Sequence, residues 1–132
     1  MRMEPGYLLC AVGKPFDHYG VAVEDAHVVH LTDPTGTWNK ENAVICRTTF
    51  AQFSAGRKVK VIRVQSPFTS EHIVERAEYC VGKVPRGGYN IVWRSCENFA
   101  RFIVTGKPES TQARKFLQAI GLGALIYCWL KD

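Results

Sequence analysis

From His18 to Thr32 the chain reads HYGVAVEDAHVVHLT, two β-rich runs held close together by the acidic pair Glu24 and Asp25. Runs of this kind around so short a connection predict a β-hairpin. A hairpin constrains its surroundings, because alternate side chains point to opposite faces and an isolated pair of strands is barely stable in water. The sequence must therefore supply further strands, and it does. GYLLCAV precedes the hairpin, and AVICRTTF and KVKVIRVQ follow it, each rich in β-branched or apolar residues.

At Ser70 the hydrophobic period changes. SEHIVERAEYCVG places apolar residues at Ile73, Val74, Ala77, Cys80 and Val81, with Ser70 as N-cap, Glu71 in the first turn and Gly82 as the stop. After the turn VPRGG, the run YNIVW, Tyr89–Trp93, reads as a strand. CENFARFIVT reads as a second helix, closed by Gly106 with Pro108 beyond. A third helix is expected from ESTQARKF into the apolar LQAIGLGALIYCWL. Strands concentrated in the first half and helices in the second predict an α+β fold, an antiparallel sheet packed with helices from the C-terminal half. At 132 residues, with Pro/Gly clusters that read as turns rather than linkers, one domain over 1–132 is expected, residues 109–132 forming its apolar helix or tail.

Five cysteines, at 10, 46, 80, 96 and 128, include no CxxC pair, unlike a disulfide framework or a zinc ribbon. The N-terminal MRMEPGYLLCAVG lacks the apolar core of a signal peptide, so a reducing, cytoplasmic setting is expected. A net charge of +5 favours anionic surfaces, phospholipid or nucleic acid. The densest basic run, RKVKVIR, reads as the solvated face and edge of a strand. It lacks the interleaved aromatics on which bases stack, which argues against nucleic-acid binding.

One cysteine stands apart. With Ser95 as N-cap, Cys96 would take the first helical position, where free amides and the helix dipole favour a thiolate. Such a thiol can be core filler, a metal ligand, half of a disulfide or a nucleophile. Cys10, Cys46, Cys80 and Cys128 lie in strand-like or apolar stretches and read as small core residues. A nucleophile needs a base. In a hairpin centred on Glu24, His18 faces His30, Gly20 faces Val28 and Ala22 faces Ala26. Two imidazoles on one sheet face can form a relay in which one polarises the other. The same three residues can also hold zinc, although they lack the local ligand spacing of structural zinc sites. His27 would lie on the opposite face, and His72 in the first turn of a helix.

HYGVAVEDAHVVHLTD resembles the H-box of the lecithin:retinol acyltransferase-like proteins, a superfamily that includes the phospholipase A/acyltransferases and some picornaviral 2A proteins. YNIVWRSCENFARFIVTG resembles their second signature, NCEHF followed by a helix and a glycine, and HIVERAEYCVGK stands where the preceding helix stands. The likeness runs from about Tyr7 to Lys107. Two positions depart from it, Ser95 for the Asn before the cysteine and Asn98 for the His two positions after it.

The resemblance implies a permuted papain-like (NlpC-type) thiol fold, with Cys96 as nucleophile, His18 as general base and His30 as the polarising histidine. It implies attack on a glycerophospholipid ester, a cysteine thioester, transfer to water, an amine or an alcohol, and no cofactor or metal. The implied partner is a phospholipid or membrane surface, approached as a peripheral protein. For a member of viral type it is instead host or viral replication proteins, bound without lipid chemistry. FLQAIGLGALIYCWL, 15 residues, would span about 22 Å as a helix against a hydrocarbon core of about 30 Å. That length suits a buried helix, an interfacial segment or a shortened anchor.

Overall fold

The structure, a computed structural model, describes residues 3–14, 16–36, 42–83 and 92–107. It is α+β. Five strands, β1 (Leu8–Val12), β2 (His18–Val23), β3 (His27–Thr32), β4 (Val44–Thr49) and β5 (Lys58–Ile62), form one open antiparallel sheet in the order β4-β3-β2-β1-β5. A short helix, α1 (Phe50–Ser54), follows β4, and α2 (Ser70–Tyr79) and α3 (Val92–Thr105) come after the sheet. The third helix expected beyond residue 108 lies outside the described residues. Among those that are described, no helix is long and apolar enough to cross a membrane.

Alternation along the strands sorts the core into two layers. Leu8, Val21, Val23, Val29, Leu31 and Ile45 face α2 and α3 and pack with Phe99, Phe102 and Ile103. Leu9, Ala11, Ala22 and Val28 face the other way and pack with Phe53 of α1. The sheet is thus covered on both sides, unequally, with the larger apolar layer under α3. β5 is an edge strand, and Lys58 and Lys60 are exposed along it, where charge discourages pairing with another chain.

The hairpin forms with a different register from the expected one. Val21 pairs with Val29, Ala22 with Val28 and Val23 with His27, so the turn comprises Glu24, Asp25 and Ala26 rather than centring on Glu24. Asp25 and Ala26 both adopt left-handed backbone, φ 60° and 57°. Aspartate tolerates that region, but alanine enters it at a cost of roughly 1–2 kcal/mol, so turn chemistry gave no warning. Each strand keeps its parity, and the even-numbered residues of β2 and β3 still share a face.

Helix boundaries also moved. The N-cap of α2 is Thr69, whose hydroxyl accepts from the His72 amide, and Ser70 is the first helical residue. α1 was not anticipated, although TTFAQ carries its signature. Thr49 and Gln52 form a reciprocal capping box, and the helix ends in left-handed Ala55. Of the strand expected over Tyr89–Trp93, Val92 and Trp93 belong to α3, and 89–91 lie outside the described residues. β-branched and aromatic residues cost a helix only about 0.7 kcal/mol each at most, too little to stop it.

α3 is anchored at its C-terminal end. Arg76 of α2, 1% exposed, donates from Nε to the Ile103 carbonyl at 2.9 Å and from Nη2 to the Phe102 carbonyl at 3.1 Å. Its guanidinium lies 4.4 Å from the Phe68 ring centroid and 5.0 Å from that of Phe102. Ser66 Oγ donates to the Val104 carbonyl at 2.6 Å. The cation thus bonds carbonyls at the negative pole of the helix: the Ile103 carbonyl in the last turn, and the Phe102 carbonyl, which also accepts from the Gly106 amide at 2.7 Å. Burial lowers the arginine pKa to about 10, which keeps it charged at neutral pH. Arg76→Leu removes two charge-assisted hydrogen bonds and is expected to cost about 3 kcal/mol in denaturant unfolding. Arg76→Lys, a point charge without the planar fork, is expected to recover only part of it.

Candidate active site

His18 opens β2 and His30 lies near the end of β3, both on the α1 side of the sheet. Their rings meet. His18 Nε2 and His30 Nδ1 are 2.8 Å apart, with ring centroids at 5.0 Å and planes at 76°. In the observed register the two are diagonal neighbours, since continuing the pairing from Val21↔Val29 sets Gly20, not His18, beside His30. Gly20 is what permits the diagonal. A Cβ there would stand 2.6 Å from Val28 Cγ1, 2.8 Å from Phe53 Cε1 and 3.2 Å from His30 Cβ. Phe53 closes the pair from below, 5.5 Å from the His18 ring and 5.2 Å from the His30 ring.

Both rings are 4% exposed, and burial dominates their proton chemistry. Burial, then the nearby Arg57 charge, lowers the His18 pKa from 6.5 to about 4. Burial, then the charge of His18, lowers that of His30 to about 3. Two neutral imidazoles therefore share the hydrogen bond at neutral pH. Arg57 has a second role. It donates to the Phe16 carbonyl at 2.8 Å and the Lys14 carbonyl at 2.7 Å, which fixes the chain just before His18. The sequence placed this arginine in a solvated strand edge. It is instead a clamp, and only Lys58, Lys60 and Arg63 fit the earlier description.

Cys96 does not sit at a helix terminus. α3 begins at Val92, so Cys96 is its fifth residue and Ser95 is not an N-cap. The thiol is 0% exposed, within the layer formed by Val21, Val29 and Phe99. Burial raises its pKa to about 12. Backbone amides of Tyr19 and Glu97 hold it down in part, while the Glu97 charge pushes it up. Loss of the helix-terminal position thus removes the expected source of a resting thiolate. The Tyr19 contact places the sulfur, because the Tyr19 nitrogen belongs to the peptide that begins at His18. Cys96 meets that peptide from the α3 side, and the His18 ring turns to the α1 side toward His30.

Cys10 and Cys80 are fully buried, as core residues should be. Cys46 is not. It pairs with His30 across β3 and β4 and is partly exposed at a cavity of about 350 Å3, whose walls include His18, His30, Thr48, Asp33 and Arg57. Thr48 is the residue sequence reasoning missed altogether. Its Oγ1 is 2.9 Å from His30 Nε2. It pairs with Val28, so strand alternation set it on the histidine face, but only the register reveals which ring it reaches. His27 is partly exposed, Nδ1 bonded to the Asp25 carbonyl at 2.8 Å, and His72 lies in the first turn of α2.

Two outcomes follow from this geometry. Gly20→Ala forces a side chain into Val28, Phe53 and His30, and is expected to cost about 1–3 kcal/mol in unfolding measurements. The histidine pKa values fall below those of the unfolded chain, which binds protons that the native state refuses. Their stability contribution is complete above about pH 6.5 and is lost as the pH falls toward 4 and then 3, by at most about 1.4 kcal/mol per pH unit for each ring. Denaturant midpoints measured down this range should fall steeply in the wild type, and less steeply in His30→Gln.

A family model described as lecithin retinol acyltransferase matches residues 1–109. Among curated proteins, lecithin retinol acyltransferase of Rattus norvegicus is 28% identical over 131 residues, covering 80% of this chain and 55% of its own length. The Homo sapiens protein of that name is 26% identical over 129 residues, 78% of this chain and 55% of its own. Phospholipase A and acyltransferase 3 of Mus musculus is 23% identical over 136 residues, 92% of this chain and 83% of its own. The chain spans about half the length of the lecithin retinol acyltransferases it matches.

Proposed function

The chain belongs to the lecithin retinol acyltransferase family, and on that premise we propose that it is a thiol-dependent acyltransferase or phospholipase acting on glycerophospholipid esters. Its fold, in this proposal, is the permuted papain-like arrangement in which the histidines precede the nucleophile. The relatives' names supply the reaction class, acyl transfer and phospholipase A activity. The observation that carries the reading is the buried 2.8 Å bond between His18 and His30, borne on a strand whose Tyr19 amide contacts the Cys96 sulfur. Burying two imidazoles against each other costs desolvation that a purely structural pair of apolar residues would avoid.

The chemistry follows from the resting proton states. With the thiol pushed up and both rings pushed down, the site holds a neutral thiol and neutral bases rather than a thiolate–imidazolium pair. Attack is therefore coupled to proton transfer. In this proposal a water or a turn of the His18 ring bridges the two sides of the strand, so that His18 takes the Cys96 proton as the sulfur adds to the ester carbonyl, and His30 stabilises the imidazolium that forms. Collapse of the tetrahedral intermediate breaks the ester C–O bond, and His18 returns the proton to the departing alcohol. The acyl group remains as a thioester on Cys96. Water or a second alcohol or amine then attacks that thioester, with His18 again removing the proton. A peripheral approach to the membrane surface, aided by the positive charge, completes the proposal.

The test is mass spectrometry of the purified chain after incubation with phosphatidylcholine vesicles. A single acyl adduct on Cys96, released by hydroxylamine, is expected, and Cys96→Ala should form none. His18→Ala should lower turnover by roughly a hundred- to ten-thousand-fold while leaving the fold intact. The ultraviolet difference spectrum between wild type and Cys96→Ser should show no thiolate band at neutral pH. Absence of any acylation, with the chain folded, would sink the enzymatic reading.

A further inference from the structure

The hydrogen bonds around His30 continue past the histidine pair, and their direction can be worked out atom by atom. Thr48 Oγ1 lies 3.3 Å from the Thr49 carbonyl oxygen, the acceptor toward which its single proton can turn. With the proton so turned, the same oxygen accepts from His30 Nε2 at 2.9 Å. A neutral imidazole carries one N–H, so a proton on His30 Nε2 leaves His30 Nδ1 with a bare lone pair. That lone pair accepts from His18 Nε2 at 2.8 Å. His18, with its proton on Nε2, then has its lone pair on Nδ1.

We propose that Thr48 is a positioning residue, which fixes the tautomers of both imidazoles and so sets His18 Nδ1 as the basic nitrogen of the site. This rests on the reading that His18 is the general base, and it names the residue that determines which of the two nitrogens does the work. The opposite polarity, with the threonine hydroxyl donating to His30 Nε2, would put protons on both Nδ1 atoms. The only basic nitrogen of His18 would then be the one engaged by His30, and none would remain to take a proton. The Thr49 carbonyl selects between the two by occupying the Thr48 proton. Thr48 is held in place for this by its pairing with Val28 on the histidine face of the sheet, and Thr49 is fixed by the capping box with Gln52. The one-turn helix α1 thus has a second role besides presenting Phe53. Its N-cap anchors the acceptor on which the relay terminates.

Nitrogen NMR of the full chain labelled at histidine reads the tautomers directly, whether or not the chain turns over a lipid. The wild type is expected to show Nε2 protonated and Nδ1 bare in both His18 and His30. Thr48→Val removes the acceptor, should mix or reverse the His30 tautomer, and should lower kcat about tenfold with KM unchanged, the order of one neutral hydrogen bond. Thr48→Ser should restore both the spectrum and the rate. A wild-type His18 with its proton on Nδ1 overturns the proposal, as does a folded Thr48→Val with wild-type tautomers and kcat. Should the chain acylate nothing, the general-base reading fails by itself, and the wild-type tautomers still decide the direction of the relay.

Discussion

The site rests on one hydrogen bond, His18 to His30, made diagonally across a β-hairpin through the gap that a missing side chain leaves at Gly20. Its geometry requires the observed register, the even-numbered face, and Phe53 filling the space beneath. A slip of one strand by one residue would put the two rings on opposite faces of the sheet. The hairpin is local in the chain, and the bond needs nothing more distant than β4 and α1. The proposed nucleophile is another matter. Cys96 comes from far along the sequence, and its place is set by how α3 lies over the sheet.

That lie is fixed from the far end. Arg76 and Ser66 hold the carbonyls of Phe102, Ile103 and Val104. From there the helix runs back across β2 and β3 on apolar contacts, until Cys96 reaches the Tyr19 amide. Arg57 fixes the chain before His18 from the opposite side of the site through two carbonyls. Two arginines, one buried against a helix end and one gripping a loop, thus locate the elements that bear the Cys96 thiol and the His18 ring. The sequence marks neither as special. Arg76 looks like an ordinary cation in the last turn of an amphipathic helix, and Arg57 looks like the start of a basic edge.

What could be read beforehand follows from how local each signal is. Period-two runs fixed all five strands to within a residue or a few at their ends, and the shift to helical spacing at Ser70 located α2. The face shared by His18 and His30 was also legible, since parity survives the register error. The turn itself was not, because Ala26 in a left-handed conformation defies residue preference and holds there only by the pairing around it. The start of α3 was misplaced for the converse reason. Ser95 is a good capping residue, but a cap matters only where a helix begins, and Val92 and Trp93 do not prevent an earlier start. α1 was legible in Thr49 and Gln52 and went unread, because Phe50 looked like the end of a strand. Thr48 could not have been singled out without a register to say which residue on β4 reaches His30.

Displacing Cys96 from the helix terminus changes where its reactivity must come from. At a terminus, the helix dipole would generate the thiolate before substrate arrives, and the base would only orient it. Within the second turn, and wholly buried, the sulfur keeps its proton. In the proposed mechanism the cost of making a nucleophile then falls within the reaction step, on the imidazole that receives the proton. Burial makes that imidazole a weaker base, since its own pKa is pushed down, so a second ring able to share the positive charge is more than a positional aid. The His18–His30 bond is strongest when His18 is cationic, because a charge-assisted hydrogen bond exceeds a neutral one roughly twofold. An interaction that tightens as the proton arrives stabilises the transition state more than the resting site. The pair is buried deeply enough to remain neutral at rest, and close enough to gain most when it is not.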